Sequence, residues 1–263
     1  MLCEAMLAAA GEIGRLGSIA NGSTVSDYHP GEKLHQISIH ATPLRLEWLG
    51  RKLNVIDTPG YMDFISEALV ALQVGDFALV VVHATQGPAL GTDTVWRYAG
   101  QYGIPKILVV NGCDRENVDP EAMLARLRAS YGARVFPLTW PVNPGPGFNQ
   151  ELDVMRSEIV TYARDGSGKY TESPAEGPWR ERVTQWHREL IEYTAEADDA
   201  LMEKFFEKGS LTEEELRAGE HTALQKQAFI PLFFTSAETN VGVARLLDFT
   251  AKYGSSPVDR MKI

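Results

Sequence analysis

Three uninterrupted apolar runs, separated by helix-like stretches, constrain the fold of this chain more than any other feature. The runs are FALVVVHA (77–84), KILVVNG (106–112) and AFIPLFFTSA (228–237). An apolar run without alternation predicts a strand that is buried on both faces, and strands that alternate with helices form parallel sheets. We therefore predict an α/β fold, with a mostly parallel sheet flanked by helices. Ligands of such sheets bind at the carboxyl ends of the strands.

Other patterns place further elements around this sheet. The segments PLRLEWL and RKLNVID, joined by Gly50, predict a β-hairpin. The polar, turn-rich segment 21–36 predicts a long mobile loop, and RVFPLTW (134–140) predicts one more strand. Apolar residues at helical spacing predict helices over 2–19, 62–73, 91–101, 119–131 and 240–253.

The alternation of strands and helices is interrupted by PVNPGPGF (141–148) and resumes only at residue 228. The residues between form an insert. Its helical stretch over 179–208 carries a stripe of apolar residues, which we interpret as core or interface rather than a cofactor site. The segment SLTEEEL begins another helix, with Ser210 or Thr212 as its N-cap.

Composition limits the partners and the compartment. Twenty-five basic and thirty-five acidic residues give a net charge of -10, which argues against attraction to phosphate backbones or anionic membranes. Cys3 and Cys113 lie far apart, which argues against a disulfide framework and against a zinc site. The sequence has neither a signal peptide nor an apolar run of about 18 residues. We therefore expect a cytoplasmic protein with no membrane partner and no sequence-specific nucleic acid partner.

The stretch NVIDTPGYMDF (54–64) ends a strand pattern in an acidic residue and a glycine-containing turn. Such a turn can hold a carboxylate near a ligand phosphate and its magnesium ion. Asp57 would accept hydrogen bonds from metal-bound waters, and the Gly60 amide can approach a terminal phosphate because no Cβ obstructs it. By itself, this stretch is equally typical of an ordinary turn.

Two further strand ends carry polar residues with complementary chemistry. Asn111 and Asp114 have the spacing expected of a pair that recognises guanine, because a carboxylate accepts hydrogen bonds from the ring N–H and the amino group of that base. The last strand ends in Thr235, Ser236 and Ala237, whose backbone amides can meet the guanine carbonyl oxygen. Three successive strand ends thus each supply one part of a nucleotide site.

With these motifs in this order, the chain resembles the G domain of translational GTPases, and among them elongation factor G. The resemblance covers essentially the whole chain and includes the segments DTPGYMDF, VVVHATQGP, TVWRYAGQYGIPKILVVNGCDREN, FNQELDVMRSEIVTY, LMEKFFE, LTEEEL and PLFFTSAETNVGVARLLDF. It implies a P-loop-GTPase-type sheet that lacks its first strand, with an inserted α+β subdomain similar to the family's G′ subdomain.

The resemblance also implies boundaries, ligands and a partner. The G domain would comprise residues 1–140 and 229–254, the G′-like insert 141–228, and the start of a linker to a second domain 255–263. The implied cofactors are GTP or GDP and Mg²⁺. The implied reaction is GTP hydrolysis coupled to translocation on the ribosome.

Each motif position receives a role from the resemblance. Ser38 stands where the family has the switch threonine that coordinates magnesium, and Tyr61 would contact the attacking water. The second switch is matched by Asp57, Thr58, Pro59 and Gly60. The guanine-binding motifs are matched by Asn111, Asp114, Thr235, Ser236 and Ala237.

Three departures from the family pattern affect the expected activity. The sequence begins just after the position of the glycine-rich phosphate loop and its preceding strand, so we expect a truncated start or a fragment. Tyr61 replaces the usual histidine, as in a branch of elongation factor G paralogues, and a neutral phenol predicts slow hydrolysis. Gly112 replaces the usual lysine, whose stem would pack over the nucleotide, so we expect weaker binding.

These departures leave three alternatives open. The chain is the GTP-binding domain of an impaired GTPase, a pseudo-GTPase that binds a partner without turnover, or an inert fragment that folds poorly. Titration with fluorescent GTP distinguishes the first two, and thermal melting tests the third.

Overall fold

The computed structural model describes residues 1–208 and 211–260 of the chain. The helices are α1 (Leu2–Ala9), α2 (Pro30–His35), α3 (Ile65–Val74), α4 (Leu90–Gln101), α5 (Pro120–Tyr131), α6 (Pro178–Glu196), α7 (Asp199–Lys208), α8 (Glu213–Gln225), α9 (Val243–Tyr253) and α10 (Pro257–Arg260). The strands are β1 (Thr42–Trp48), β2 (Arg51–Asp57), β3 (Ala78–His83), β4 (Lys106–Asn111), β5 (Val135–Pro137), β6 (Thr139–Pro141), β7 (Gln150–Asp153), β8 (Glu158–Tyr162), β9 (Tyr170–Pro174) and β10 (Ile230–Thr235). A 3-10 turn, Met62–Phe64, precedes α3.

A four-stranded parallel sheet forms the centre of the molecule, in the order β3-β4-β10-β5. All six residues of β10 are buried, as are the middle four of β4. The mixed α/β fold with a flanked parallel sheet is therefore confirmed. Because β3, β4 and β10 run in the same direction, their carboxyl ends meet at one edge of the sheet.

The hairpin β1-β2 forms a sheet of its own. Within the described residues it shares no ladder hydrogen bonds with the parallel sheet, and a cleft of about 1350 Å³ lies between β2 and β3. Apolar side chains of both edges line this cleft, including Leu53, Val55 and Val80. The hairpin prediction is confirmed.

The predicted strand over 134–140 is two strands in two different sheets. The Leu138 amide donates to the Leu232 carbonyl in the parallel sheet (2.9 Å), and the Leu138 carbonyl accepts from the Val154 amide (3.0 Å) on the other side. β5 therefore ends the parallel sheet and β6 begins an antiparallel sheet in the order β6-β7-β8-β9. The prediction of one strand was wrong because the residues before and after Leu138, in β5 and β6, are equally buried, so the apolar pattern does not mark the change of sheet.

The inserted helices pack their apolar stripe inward. Val183, Trp186 and Leu190 of α6 are buried, so the interpretation of this stripe as core is confirmed for α6, whereas Leu201 and Phe205 of α7 are half-buried. The predicted helix over 179–208 is broken between α6 and α7. Thr212 caps α8, since its hydroxyl accepts from the Glu215 amide at 3.3 Å, whereas the alternative cap Ser210 lies outside the described residues.

An aromatic and cationic cluster joins the insert to the parallel sheet. The Trp140 ring lies 5.2 Å from the rings of both Trp186 and Phe234, measured between centroids. The Arg182 guanidinium lies 4.3 Å from the Trp140 ring centre and 4.2 Å from that of Trp186. Cation–π contacts of this kind add to apolar burial. The boundary predicted at 140–141 falls within β6, next to this cluster.

The predicted helix over 2–19 is wrong beyond Ala9. Gly11 has a positive φ of 76°, which ends the helical path, and the following chain folds back on α1. The buried Glu4 carboxylate holds it there by accepting hydrogen bonds from the amides of Gly17 (2.7 Å) and Val25 (2.9 Å). Among the described residues, no helix is long and apolar enough to span a bilayer.

Candidate functional site

Asn111 joins two of the predicted motifs. Its side-chain oxygen accepts hydrogen bonds from the Thr235 hydroxyl (3.1 Å) and from the Ala237 amide (2.9 Å). The Thr235 carbonyl in turn accepts from the amides of Gly112 (3.0 Å) and Cys113 (3.1 Å). The end of β4 and the end of β10 therefore form one hydrogen-bonded unit. Since the Asn111 oxygen is occupied, its amino group is the part that remains to donate to a ligand.

The loop after β10 is held in a fixed conformation. Ser236 is fully buried, and it exchanges two backbone hydrogen bonds with Val241 (2.9 and 3.0 Å). The Ser236 hydroxyl also contacts the hydroxyl of Thr239 at 2.8 Å. The Ser236 side chain is thus structural, and its backbone amide is already used by Val241. Of the three predicted residues in this motif, Thr235 and Ala237 contact Asn111 directly.

Asp57 ends β2 on the opposite side of the cleft. It lines the cleft together with Thr58, Pro59, Gly60 and Asn111. A Cβ on Gly60 would meet no atom within 4 Å, so the backbone of this residue borders open space. The structure therefore brings the second switch motif and Asn111 to the walls of one cleft.

Cys3 contacts Asp57, which sequence reasoning did not foresee. Burial, followed by the nearby Asp57 charge, raises the pKa of the Cys3 thiol well above its usual value. Cys3 is therefore a neutral thiol next to the carboxylate. A thiol is a weak donor, so this contact leaves the Asp57 oxygens open to stronger partners.

Tyr61 is exposed at the edge of this region. Its side chain is 57% accessible, and its carbonyl accepts from the Phe64 amide (3.0 Å) to begin the 3-10 turn. The neighbouring Gly60 carbonyl lies 2.8 Å from the position that a Cβ on Gly91 would occupy. A side chain at position 91 would thus collide with the turn, so Gly91 permits the close approach of α4 to Gly60.

Ser38 is not among the residues that line the cleft with Asp57. The loop that carries it is organised by Glu32 of α2, which is 1% exposed. Glu32 accepts hydrogen bonds from the amides of His29 (3.1 Å), Ile39 (3.0 Å) and His40 (3.0 Å). The predicted long loop over 21–36 therefore contains the short helix α2. The Glu32 carboxylate of this helix fixes the backbone before Ser38, at His29, and after it, at Ile39 and His40.

Asp114 follows β4 by three residues and is half-buried. It does not line the cleft, in contrast to Asn111. The neighbouring Arg115 forms an ion pair with Glu238, and each side chain is about half exposed (50% and 52%). This pair connects the Asn111–Asp114 loop with the loop after β10, and the sequence held no signal for it because the two residues are 123 positions apart.

Comparison with known proteins agrees with this geometry. A crystal structure of a protein from Thermus thermophilus superposes on the chain with a TM-score of 0.91 at 32% sequence identity. That match covers 98% of this chain and 38% of the other, so the chain spans less than half the length of this relative. Residues 1–256 match the family described as the elongation factor Tu GTP binding domain. This match covers nearly the whole chain. The chain therefore belongs to the elongation factor Tu GTP binding domain family, and this membership implies binding of guanine nucleotides.

Proposed function

We propose that this chain is the guanine-nucleotide-binding domain of a translational GTPase similar to elongation factor G. The observation that carries the proposal is the pair of hydrogen bonds that Asn111 accepts from Thr235 and Ala237. These bonds join the ends of two neighbouring parallel strands, where ligands of α/β sheets bind.

Recognition of the base follows from the chemistry of the two loops. The Asn111 amino group is left to donate, and guanine presents the acceptors N7 and O6. The Asp114 carboxylate would accept from the guanine ring N–H and amino group, a pattern that adenine lacks. The backbone of Ala237 would border the guanine carbonyl oxygen, whereas the Ser236 amide, which is bonded to Val241, would not donate to it. The site would therefore select guanine over adenine.

The phosphate end of the site would lie near Asp57 and Gly60. Magnesium prefers oxygen ligands and keeps several waters, so the Asp57 carboxylate, which lines the cleft, fits the role of holding those waters. When bound, the ion would neutralise charge on the phosphates. Ser38 would join this site only if its loop moved away from Glu32, a change of the kind that nucleotide-dependent switch segments make.

Hydrolysis in the intact protein would be attack of water on the γ-phosphate, with Tyr61 and Gly60 nearest to the reacting atoms. The Tyr61 hydroxyl would orient the water by hydrogen bonding, and its exposure leaves it free to do so. We further propose a cytoplasmic setting, the ribosome as partner and coupling of hydrolysis to translocation. The proposed G domain comprises residues 1–140 and 229–254, followed by a linker from 255, and 141–228 form a G′-like insert.

A pseudo-GTPase is the second candidate function. Two residues favour it: Gly112 has no side chain that could pack over a nucleotide, and Tyr61 offers a phenol rather than an imidazole to the attacking water. In this case the chain would bind GDP and GTP weakly and release no phosphate.

The deciding experiment is an equilibrium titration with fluorescent GDP, with ADP and XDP as competitors. Wild-type protein is expected to prefer GDP, and the variant Asp114→Asn is expected to prefer xanthosine diphosphate (XDP). Xanthine has a carbonyl where guanine has an amino group, and the asparagine amide can donate to that carbonyl whereas the aspartate carboxylate can only accept. Phosphate release from GTP then distinguishes a GTPase from a pseudo-GTPase. No preference of the wild type for GDP over ADP would overturn the proposal.

A further inference from the structure

His83 lies at the carboxyl end of β3, directly beside Asn111. The two residues are paired in the parallel ladder, and the Asn111 carbonyl accepts from the Ala84 amide at 2.9 Å. The His83 side chain is exposed, on the same face of β3 as Val81, which lines the cleft. The imidazole is therefore at the edge of the sheet where the proposed nucleotide site lies.

The orientation of the imidazole is set by Thr85. The Thr85 amide donates to His83 Nδ1 (3.3 Å), and the Thr85 hydroxyl lies 3.0 Å from the same atom. Since a backbone N–H can only donate, Nδ1 is the acceptor. The proton of the neutral ring is consequently on Nε2, and the ring offers a donor on its far side.

That donor faces Gly112. His83 Nε2 lies 3.8 Å from the position that a Cβ on Gly112 would occupy, and the Arg115 side chain lies 3.6 Å from this same Cβ position. Gly112 has a φ of 91°, which favours glycine, so no side chain fills this space from position 112 itself. His83 and Arg115 border the space instead.

The sheet order gives His83 a position between the two ends of the site. β4 and β10 carry the base-binding residues, whereas Asp57 and Gly60 lie across the cleft, and β3 is the strand of the parallel sheet that faces that cleft. A nucleotide whose base contacts Asp114 and whose phosphates approach Asp57 has its sugar between them. The sugar and the first phosphate of such a nucleotide, which present oxygen acceptors, would then lie near the carboxyl end of β3, where His83 stands.

We propose that His83 is a nucleotide-binding residue whose Nε2–H donates to an oxygen of the sugar–phosphate part of the ligand, next to the space that Gly112 leaves open. This inference rests on the proposed function, because it needs guanine nucleotide in the site. It adds a binding contact that lies outside the guanine and switch motifs.

The test compares His83→Ala and His83→Gln with wild type in titrations with GDP and guanosine. His83→Ala is expected to weaken GDP binding about three- to tenfold, the range typical of one hydrogen bond. His83→Gln is expected to retain most of the affinity, since its amide can still donate. The exposed Gln101→Ala on α4 is the matched control and should bind as wild type does. A loss for GDP alone indicates a phosphate contact, and a loss for both ligands indicates a contact to the sugar.

A second readout separates contact from a merely structural role. In protein labelled with ¹⁵N-histidine, the His83 Nε2 signal, assigned by its absence in His83→Gln, is expected to shift when GDP is added. If wild type binds GDP and His83→Ala binds it equally well, with no shift of this signal, the inference about His83 is wrong while the proposed function stands. If wild type does not bind GDP, the proposed function fails and His83 has no such role.

Discussion

The indole nitrogen of Trp48 donates a hydrogen bond of 2.9 Å to the carboxylate of Asp248. Trp48 is the last residue of β1, whereas Asp248 lies in α9, 200 positions later. Asp248 also accepts a hydrogen bond of 3.0 Å from Arg156, which lies between β7 and β8. The Asp248 carboxylate thus connects three elements: the β1-β2 hairpin, which ends at Asp57, helix α9 and the inserted antiparallel sheet.

Removing the indole donor should loosen the hairpin. We expect Trp48→Phe to lower the free energy of unfolding by about 1–3 kcal/mol, because a hydrogen bond to a charged group is lost and some packing with it. Urea unfolding measures this change. The control is Glu47→Gln on the same strand, whose exposed ion pair with Arg45 should contribute less than about 1 kcal/mol. Equal unfolding midpoints for Trp48→Phe and wild type would contradict the role of this bond.

The ion pair between Arg115 and Glu238 should hold the two guanine-binding loops together. We expect the charge reversal Arg115→Glu to weaken GDP binding about threefold, as two carboxylates then repel each other. The double variant Arg115→Glu with Glu238→Arg should restore the affinity, because the pair is re-formed with opposite polarity. Thermal unfolding should change little in either variant, since both side chains are half exposed. A double variant as weak as the single one would argue against the connection.

Replacing Tyr61 by histidine should accelerate GTP hydrolysis. An imidazole can both orient water and transfer a proton, and such a group contributes a factor of about 100 or more. Single-turnover phosphate release measures the rate. GDP affinity should stay unchanged, because Tyr61 is exposed and lies outside the base-binding loops. Tyr61→Phe is the matched control, and it should be slower than wild type if the hydroxyl orients the water.

Glu151 should make the stability of the protein depend on pH. Complete burial raises its pKa to about 8, and the Tyr162 hydroxyl donates to it at 2.6 Å. Between the unfolded pKa of about 4.3 and pH 8, the folded protein keeps a proton that the unfolded chain has lost. The free energy of unfolding contributed by this group therefore falls as the pH rises, by at most about 1.4 kcal/mol per pH unit.

Glu151→Gln tests this dependence, because the amide oxygen can still accept from Tyr162 without carrying a charge. Urea unfolding at pH values from about 5 to 8 should show that the variant gains stability relative to wild type as the pH increases. The exposed Glu203→Gln should show the same pH profile as wild type. A constant difference between Glu151→Gln and wild type across this range would mean that Glu151 does not hold the extra proton.

The sequence was sufficient to predict the central strands and the ends at which Asp57, Asn111 and Thr235 stand. Burial on both faces requires a continuous apolar run, and a run of this kind is visible within a few residues. The Thr212 cap and the hairpin at Gly50 are likewise local signals. The predicted roles of Ser38, Asp57, Tyr61 and the guanine-binding residues, in contrast, stay predictions until nucleotide binding is measured.

What the chain determined by itself is thus the set of secondary structures whose signals lie close together in sequence. Tertiary structure alone decided that Leu138 crosses between two sheets, that Glu4 holds the chain at Gly17 and Val25, and that His83 faces Gly112. Each of these arrangements depends on hydrogen bonds or contacts between separate segments. The pattern of apolar residues records how deeply a side chain is buried, but it carries no information about which distant partner that side chain meets.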